Sequence, residues 1–207
     1  MSVDAWALLK AGAKDEALRH MKEAYSQEGT SSDIMRLGVA YLWTEDYLSA
    51  LKHFVEVNER YPKHADRFYA MAGSSQWCLE KPHEAVKAWR EGLDCQYTDS
   101  ARVTLPLILY FASVARPTIC SIGDAERLLT DRAKSNRIQK WPGPIAQFLL
   151  DQIDEDGLRR KCEGFNDRDT ALRNWKADFY LSVAERSRGN AGRYSELLQK
   201  CRMISEH

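Results

Sequence analysis

Apolar residues recur along this chain at the three- and four-residue spacing of an α-helix, and short polar segments separate the apolar stretches. This pattern predicts an all-α fold. In the second half of the chain we expect helices at 102–115, 124–133, 145–152, 155–162, 169–188 and 193–204. Pro106 is compatible with the first turn of the helix at 102–115, and the proline-containing segment 135–144 predicts a bend.

A set of small and large apolar residues lies in the segment 31–64. Its members stand at the spacings of a helix-turn-helix repeat: Leu37, Gly38, Tyr41, Ala50, Phe54 and Pro62, with Ile34 at the leading position. Gly38 allows two helices to approach closely, Ala50 is the small residue opposite it, and Phe54 fills the space beside them. We expect Pro62 to end the second helix, because proline donates no backbone hydrogen bond.

The same set recurs in the neighbouring segments. Gly73, Ala85 and Trp89 repeat the glycine, the alanine and the aromatic residue, each 35 residues later. Upstream, Ala17 precedes Ala50 by 33 residues. Both intervals are close to a period of about 34 residues, which predicts a chain built from repeated helix pairs.

On these residues the chain resembles the tetratricopeptide repeat family. The resemblance implies a right-handed superhelix, or solenoid, of about five helix-turn-helix hairpins. It places tetratricopeptide-like hairpins at 1–98 and degenerate hairpins, which continue the same solenoid, at 99–207.

The resemblance also implies a function: a non-enzymatic module that binds a partner protein or peptide through its concave helical face. In the family, the first helix of each hairpin lines that face. The corresponding residues of this chain are Ala7, Lys10, Met35, Val39, Leu42, Trp43, Arg67, Ala70, Ser74 and Trp77. They are mostly apolar and include two tryptophans, which is typical of interface anchors.

Some family members grip the acidic C-terminal tails of chaperones with a clamp of Lys, Asn and Arg. Here Met35 and Val39 stand at the Lys and Asn positions, and Met71 replaces the Arg of the next hairpin, although Arg67 keeps a cation. These departures argue against a co-chaperone role. Two function classes remain: a binding module, including a secretion chaperone or a toxin-neutralising immunity protein, and a structural subunit of a permanent assembly.

The charge balance bears on the partner. Thirty basic residues match thirty acidic ones, so the formal net charge is zero. Nucleic-acid binders usually carry a clustered basic excess, because phosphate neutralisation supplies much of their affinity. We therefore expect no nucleic-acid partner. Zero net charge also favours self-association, which leaves a homo-oligomer open.

The location of the protein follows from three features. Asp4 interrupts the apolar run that a signal peptide needs. The most apolar segment, 103–115, is shorter than the roughly 20 residues of a bilayer-spanning helix. The five cysteines form no CxxC pair, which favours reduced core thiols. We expect a cytoplasmic protein with no membrane partner.

Motifs for catalysis are absent from the sequence: it has no phosphate-binding loop, dinucleotide turn, HExxH helix or nucleophile elbow. Cys78 and His83 lie five residues apart, without the spacing of a zinc site. The segment 152–163 matches a calcium loop except at Gln152, but it contains three cations, Arg159, Arg160 and Lys161, and Asp154 is expected to start a helix instead. The sequence predicts no catalytic residue, metal or cofactor.

Overall fold

The computed structural model describes residues 5–28, 30–61, 65–95 and 99–205, and all regular structure in these ranges is helical. The all-α prediction is confirmed for this part of the chain. The chain divides into two compact units, residues 1–98 (unit 1) and 99–207 (unit 2).

Unit 1 consists of helices that each pack against the next one in sequence. They are α1 (Ala5–Lys10), α2 (Lys14–Glu28), α3 (Ser31–Trp43), α4 (Tyr47–Arg60), α5 (Ala65–Cys78) and α6 (Pro82–Glu91), followed by a 3-10 helix at Gly92–Asp94. Helix α3 also contacts α5, so the first helices of successive pairs lie side by side. Pro62, expected to end α4, lies outside the described residues.

In the packing of unit 1, two glycine–aromatic contacts recur at the spacing of the predicted repeat. A Cβ atom added at Gly38 would lie 2.7 Å from the Phe54 ring, and one added at Gly73 would overlap the Trp89 indole. The Trp89 Nε1–H donates to the Ala70 carbonyl at 3.1 Å. Each aromatic ring therefore occupies the space that a glycine leaves, and the two contacts stand one repeat apart.

The same turn joins the two helices of five pairs in the described part of the chain. Six described residues have a positive φ: Arg102 and the five that lie in these turns, at φ between 54° and 81°, which are Gly12, Glu45, Glu80, Asp151 and Gly189. In each of these five turns, the residue after the positive-φ residue donates its amide to a carbonyl of the preceding helix, as Asp46 does to Tyr41, at 2.9 Å. This is the hydrogen bond of a Schellman helix end, which satisfies a terminal carbonyl and reverses the chain.

Unit 2 contains a large apolar core. Its helices are α7 (Thr104–Ala115), α8 (Ile122–Ala133), α9 (Gly143–Leu149), α10 (Glu155–Arg160), α11 (Asp167–Ser187) and α12 (Ala191–Ser205), with a 3-10 helix at Asn136–Gln139 and a cis Trp141–Pro142 peptide. Helix α11 contacts α7, α9, α10 and α12. The centre of this core is apolar and almost fully buried, at Leu107, Leu129, Ile145, Leu158, Leu181 and Leu197.

Most predicted helix boundaries in unit 2 differ from the observed ones by one to three residues. The helix expected from residue 102 begins at Thr104, because the Asp99 carboxylate accepts the amides of Val103 and Thr104 at 3.1 Å. The helix expected at 145–152 spans Gly143–Leu149, because Asp151 adopts the left-handed conformation of the turn. The helix expected at 155–162 ends at Arg160.

Candidate functional site

The candidate site is the surface formed by α3 and α5, which we call the α3/α5 face. It consists of the accessible residues predicted to contact a partner on these helices: Val39, Leu42, Trp43, Arg67, Ser74 and Trp77. A reciprocal cap fixes the start of α3: the Thr30 side chain accepts the Asp33 amide, and the Asp33 carboxylate accepts the Thr30 amide. Helix α3 is thus well anchored at the end opposite Trp43.

Two of the predicted contact residues belong to the core instead. Met35 and Ala70 are each 5% exposed, and the Ala70 carbonyl accepts the Trp89 indole N–H. Spacing alone did not separate them from their accessible neighbours, because the stripe of α3 and α5 that faces out also borders the stripe that packs inward. Met35 and Ala70 lie below the α3/α5 face and have almost no accessible surface for a partner.

The remaining predicted residues lie at or near the surface. Val39 and Leu42 are half-buried and pack against the core of unit 1. Ser74 donates its hydroxyl to the Ala70 carbonyl at 2.9 Å, and Arg67 is exposed. On α1, Ala7 is exposed, whereas the side chain of Lys10 is outside the described part of the chain.

The two tryptophans differ in their surroundings. Trp77 is half-buried, with its ring centroid 5.6 Å from that of Trp89, so it extends the aromatic packing between α5 and α6. Trp43, the last residue of α3, is 54% exposed. Trp43 is therefore the large apolar side chain that the α3/α5 face presents to solvent.

Two residues with potentially reactive groups, Ser74 and Cys78, lie near this face. The Ser74 hydroxyl is committed to a backbone carbonyl. Burial raises the pKa of the Cys78 thiol, and the nearby Glu80 carboxylate raises it further. A thiol with a raised pKa is mostly protonated near neutral pH, and only the thiolate is a strong nucleophile.

The structure also describes the residues considered for metal binding. Cys78 and His83 are both exposed, and the described residues contain no cluster of three or more groups that could hold a metal ion. Asp154 is the N-cap of α10 and accepts the Gly157 amide at 2.7 Å. The helix start expected at Asp154 is confirmed.

A second surface feature was missed by the sequence reasoning. Unit 2 contains an open cavity of about 410 Å³ lined by aromatic and basic side chains, among them Trp141, Arg160, Lys161, Phe165 and Arg173. The sequence showed Arg160 and Lys161 only as cations at a helix end. Their position beside two aromatic residues depends on tertiary contacts between the loops on either side of α10.

No helix in the described ranges combines the length and apolarity needed to cross a bilayer. Comparison with protein-family models and with curated proteins finds no match to the chain.

Proposed function

We propose that this chain is a tetratricopeptide-like helical repeat protein that binds a segment of a partner protein on its α3/α5 face, without chemistry of its own. The observation that carries the proposal is the 54% exposure of Trp43 at the end of a capped, well-packed helix. A large aromatic side chain gains favourable burial only when another molecule covers it, and such residues are common hot spots of binding.

The repeat supports this architecture. The glycine–aromatic contacts at Gly38 and Gly73, and the turns at Glu45 and Glu80, each recur at 35 residues. Similar packing and the same turn in consecutive hairpins support a similar rotation from each hairpin to the next, as in the proposed right-handed superhelix with a concave face. In that arrangement the first helices, α3 and α5, line the concave side.

The surface chemistry fits a peptide or a helix that carries apolar side chains. Val39 and Leu42 provide a half-buried apolar floor beside Trp43, and Arg67 adds a cation at the start of α5. An apolar centre with a charged rim is the usual composition of a protein-binding surface.

Site-specific crosslinking tests the proposal. A photoreactive phenylalanine analogue replaces Trp43 in one variant and Leu48 in the control; Leu48 is 66% exposed on α4, outside the α3/α5 face. In cells that naturally contain the protein, we expect one defined protein crosslinked through position 43 and absent at position 48. Equal crosslinking at both positions, or none at position 43, would contradict the proposal.

Two specialised roles fall within this class: a secretion chaperone and an immunity protein that neutralises a toxin. If the neighbouring gene encodes a toxin, its product is the first partner to test. Purified together, the two proteins should form a complex of defined stoichiometry, and Trp43→Ala should weaken it.

A structural subunit is the second candidate, and a second apolar strip favours it. Leu48 and Val55 lie seven residues apart on α4 and are 66% and 40% exposed. Light scattering at two concentrations a hundredfold apart distinguishes the candidates. A mass that stays that of the monomer contradicts obligate homo-oligomeric assembly, whereas a constant multiple of that mass supports it.

A further inference from the structure

The cavity of unit 2 contains an arginine that lies close to two aromatic rings. The Arg173 guanidinium carbon lies 5.5 Å from the centroid of the Trp141 ring and 5.8 Å from that of Phe165. Its Nη1–H donates to the Glu163 carbonyl at 2.7 Å, and its Nη2 pairs with Asp169 at 2.9 Å. Arg173 therefore fixes the relative positions of the walls of the cavity.

The loop that carries Phe165 is rigidly tied to the start of α11. The Phe165 amide donates to the Asp169 carboxylate at 3.1 Å, and the Gly164 amide donates to the Thr170 hydroxyl at 3.0 Å. A Cβ atom at Gly164 would lie 2.5 Å from the Asp169 carboxylate, so the loop fits closely against the helix.

Phe165 is 96% exposed although its backbone is held in this way. An aromatic side chain on a fixed loop loses little backbone freedom on binding, so its burial contributes more fully to affinity. Phe165 and Trp141 together present aromatic surface at the rim of the cavity.

Two unpaired cations stand beside this surface. Arg160 and Lys161 line the cavity at the end of α10, and in the described ranges no carboxylate forms an ion pair with either. Their neighbour Arg159 is instead paired with Asp178 and Glu155, which fastens α10 to α11. The cavity thus has a fixed frame and two cations free to meet an anionic ligand.

We propose that this cavity binds an acidic segment of a partner protein, with carboxylates at Arg160 and Lys161 and an aromatic or large aliphatic side chain against Phe165 and Trp141. The site lies in unit 2 and is independent of the α3/α5 face. The charge of unit 2 supports an acidic ligand. Residues 99–207 contain 18 basic and 15 acidic residues, whereas residues 1–98 contain 12 basic and 15 acidic residues.

A peptide fits the cavity better than the other anionic ligands. Single-stranded nucleic acid is usually bound on a track of aromatic platforms along a basic groove, whereas this cavity is compact. A free phosphate would use the cations and leave the aromatic surface uncovered. A peptide with both acidic and aromatic side chains engages both parts of the site.

Fluorescence anisotropy of a labelled peptide, Gly-Asp-Glu-Phe-Glu-Asp-Gly, tests the proposal with the full-length protein. We expect saturable binding that weakens when Ser replaces the Phe and is lost when Asn and Gln replace the acids. The double variant Arg160→Glu, Lys161→Glu should bind at least about tenfold more weakly, because two charge-assisted contacts become repulsive. Phe165→Ser should bind about threefold more weakly or worse, because aromatic contact area is lost.

The matched control is Arg127→Glu, Lys200→Glu, which makes the same charge change in unit 2 at exposed cations outside the cavity lining. This control variant should bind the peptide as tightly as the unsubstituted protein does. All variants should have the melting temperature of the unsubstituted protein. Equal weakening by the control, unchanged binding by the Arg160, Lys161 variant, or no saturable binding would overturn the proposal. So would displacement of the peptide by equimolar inorganic phosphate, or tighter binding of an oligothymidylate.

Discussion

The glycines opposite Phe54 and Trp89 show how single residues specify this packing. Alanine is the better helix former by about 1 kcal/mol, so these positions give up helix propensity for close contact between helices. The sequence predicted this role for Gly38 because the residue types and their spacing both survive in the next repeat. Its physical cause, a ring in the space of the missing side chain, is visible in the structure.

Gly38→Ala should destabilise the protein by about 1–3 kcal/mol, because the new Cβ would overlap the Phe54 ring and the overpacking outweighs the gain in propensity. The control is Gly192→Ala on α12, where the added Cβ has no neighbour within 4 Å. Denaturant unfolding of both variants measures the difference. A neutral or stabilising effect at Gly38 would mean that Phe54 does not occupy this space.

His53 joins an aromatic cluster between α2, α3 and α4. Its ring stacks on Tyr41 with centroids 5.4 Å apart, and Tyr25 meets it edge-on at 5.7 Å. Burial lowers the pKa of His53, although the Glu56 carboxylate, 3.5 Å from Nδ1, acts in the opposite direction. The lowered pKa of this half-buried imidazole favours its neutral form.

This burial predicts a pH dependence of stability. Below about pH 6.5, the unfolded chain protonates His53 more readily than the folded chain does, so the free energy of unfolding should decrease as the pH falls from that value through the lowered pKa. Unfolding titrations between about pH 7.5 and pH 5 should show a shallower decrease for His53→Gln than for the unsubstituted protein. His83→Gln, at an exposed imidazole, is the control. Parallel curves for His53→Gln and the unsubstituted protein would exclude this role of His53.

Among the elements, the recurrent turn explains why helix pairs were predictable and where prediction failed. Gly12 and Gly189 are recognisable as turn residues from sequence. Glu45, Glu80 and Asp151 adopt the same conformation without being glycine, so residue type alone does not reveal them. This is why the end of α9 was placed too late.

Glu45→Gly should stabilise the protein by about 1 kcal/mol, because glycine adopts the left-handed conformation without steric cost. Lys52→Gly, at an exposed position in the middle of α4, should destabilise it by about 1 kcal/mol. Thermal or chemical unfolding compares the two changes. Destabilisation by both substitutions would argue against the left-handed turn at Glu45.

Substitutions at the start of α10 distinguish a helix-capping role of this segment from a metal-binding role. Asp154→Ala should cost about 1 kcal/mol, since the Gly157 amide loses its acceptor. Asp156→Ala, an exposed residue of the same segment, should cost less. Calcium or a chelator should leave the melting temperature of each protein unchanged. A rise of several degrees with calcium that Asp154→Ala abolishes would show that the segment is an ion site.

At the scale of the whole molecule, the sequence predicted more surface features of unit 1 than of unit 2. In unit 1 the resemblance to the repeat family supplied the residues of the α3/α5 face, and burial separates Met35 and Ala70 from their neighbours. In unit 2 the cavity depends on Arg173 reaching the Glu163 carbonyl across the loop between α10 and α11. A contact of that kind has no periodic signature, so the cavity was not predictable.

The central claim is that Trp43 anchors a partner, and one paired measurement on Trp43→Ala tests it most directly. For the partner identified by crosslinking through position 43, binding should weaken by about 2 kcal/mol or more, as at a hot spot. The free energy of unfolding should change by less than about 1 kcal/mol, because the side chain is already 54% exposed. Leu48→Ala should leave both quantities nearly unchanged. Unchanged partner affinity in Trp43→Ala would contradict the account, as would a loss of stability of about 3–5 kcal/mol, which would assign Trp43 to the core.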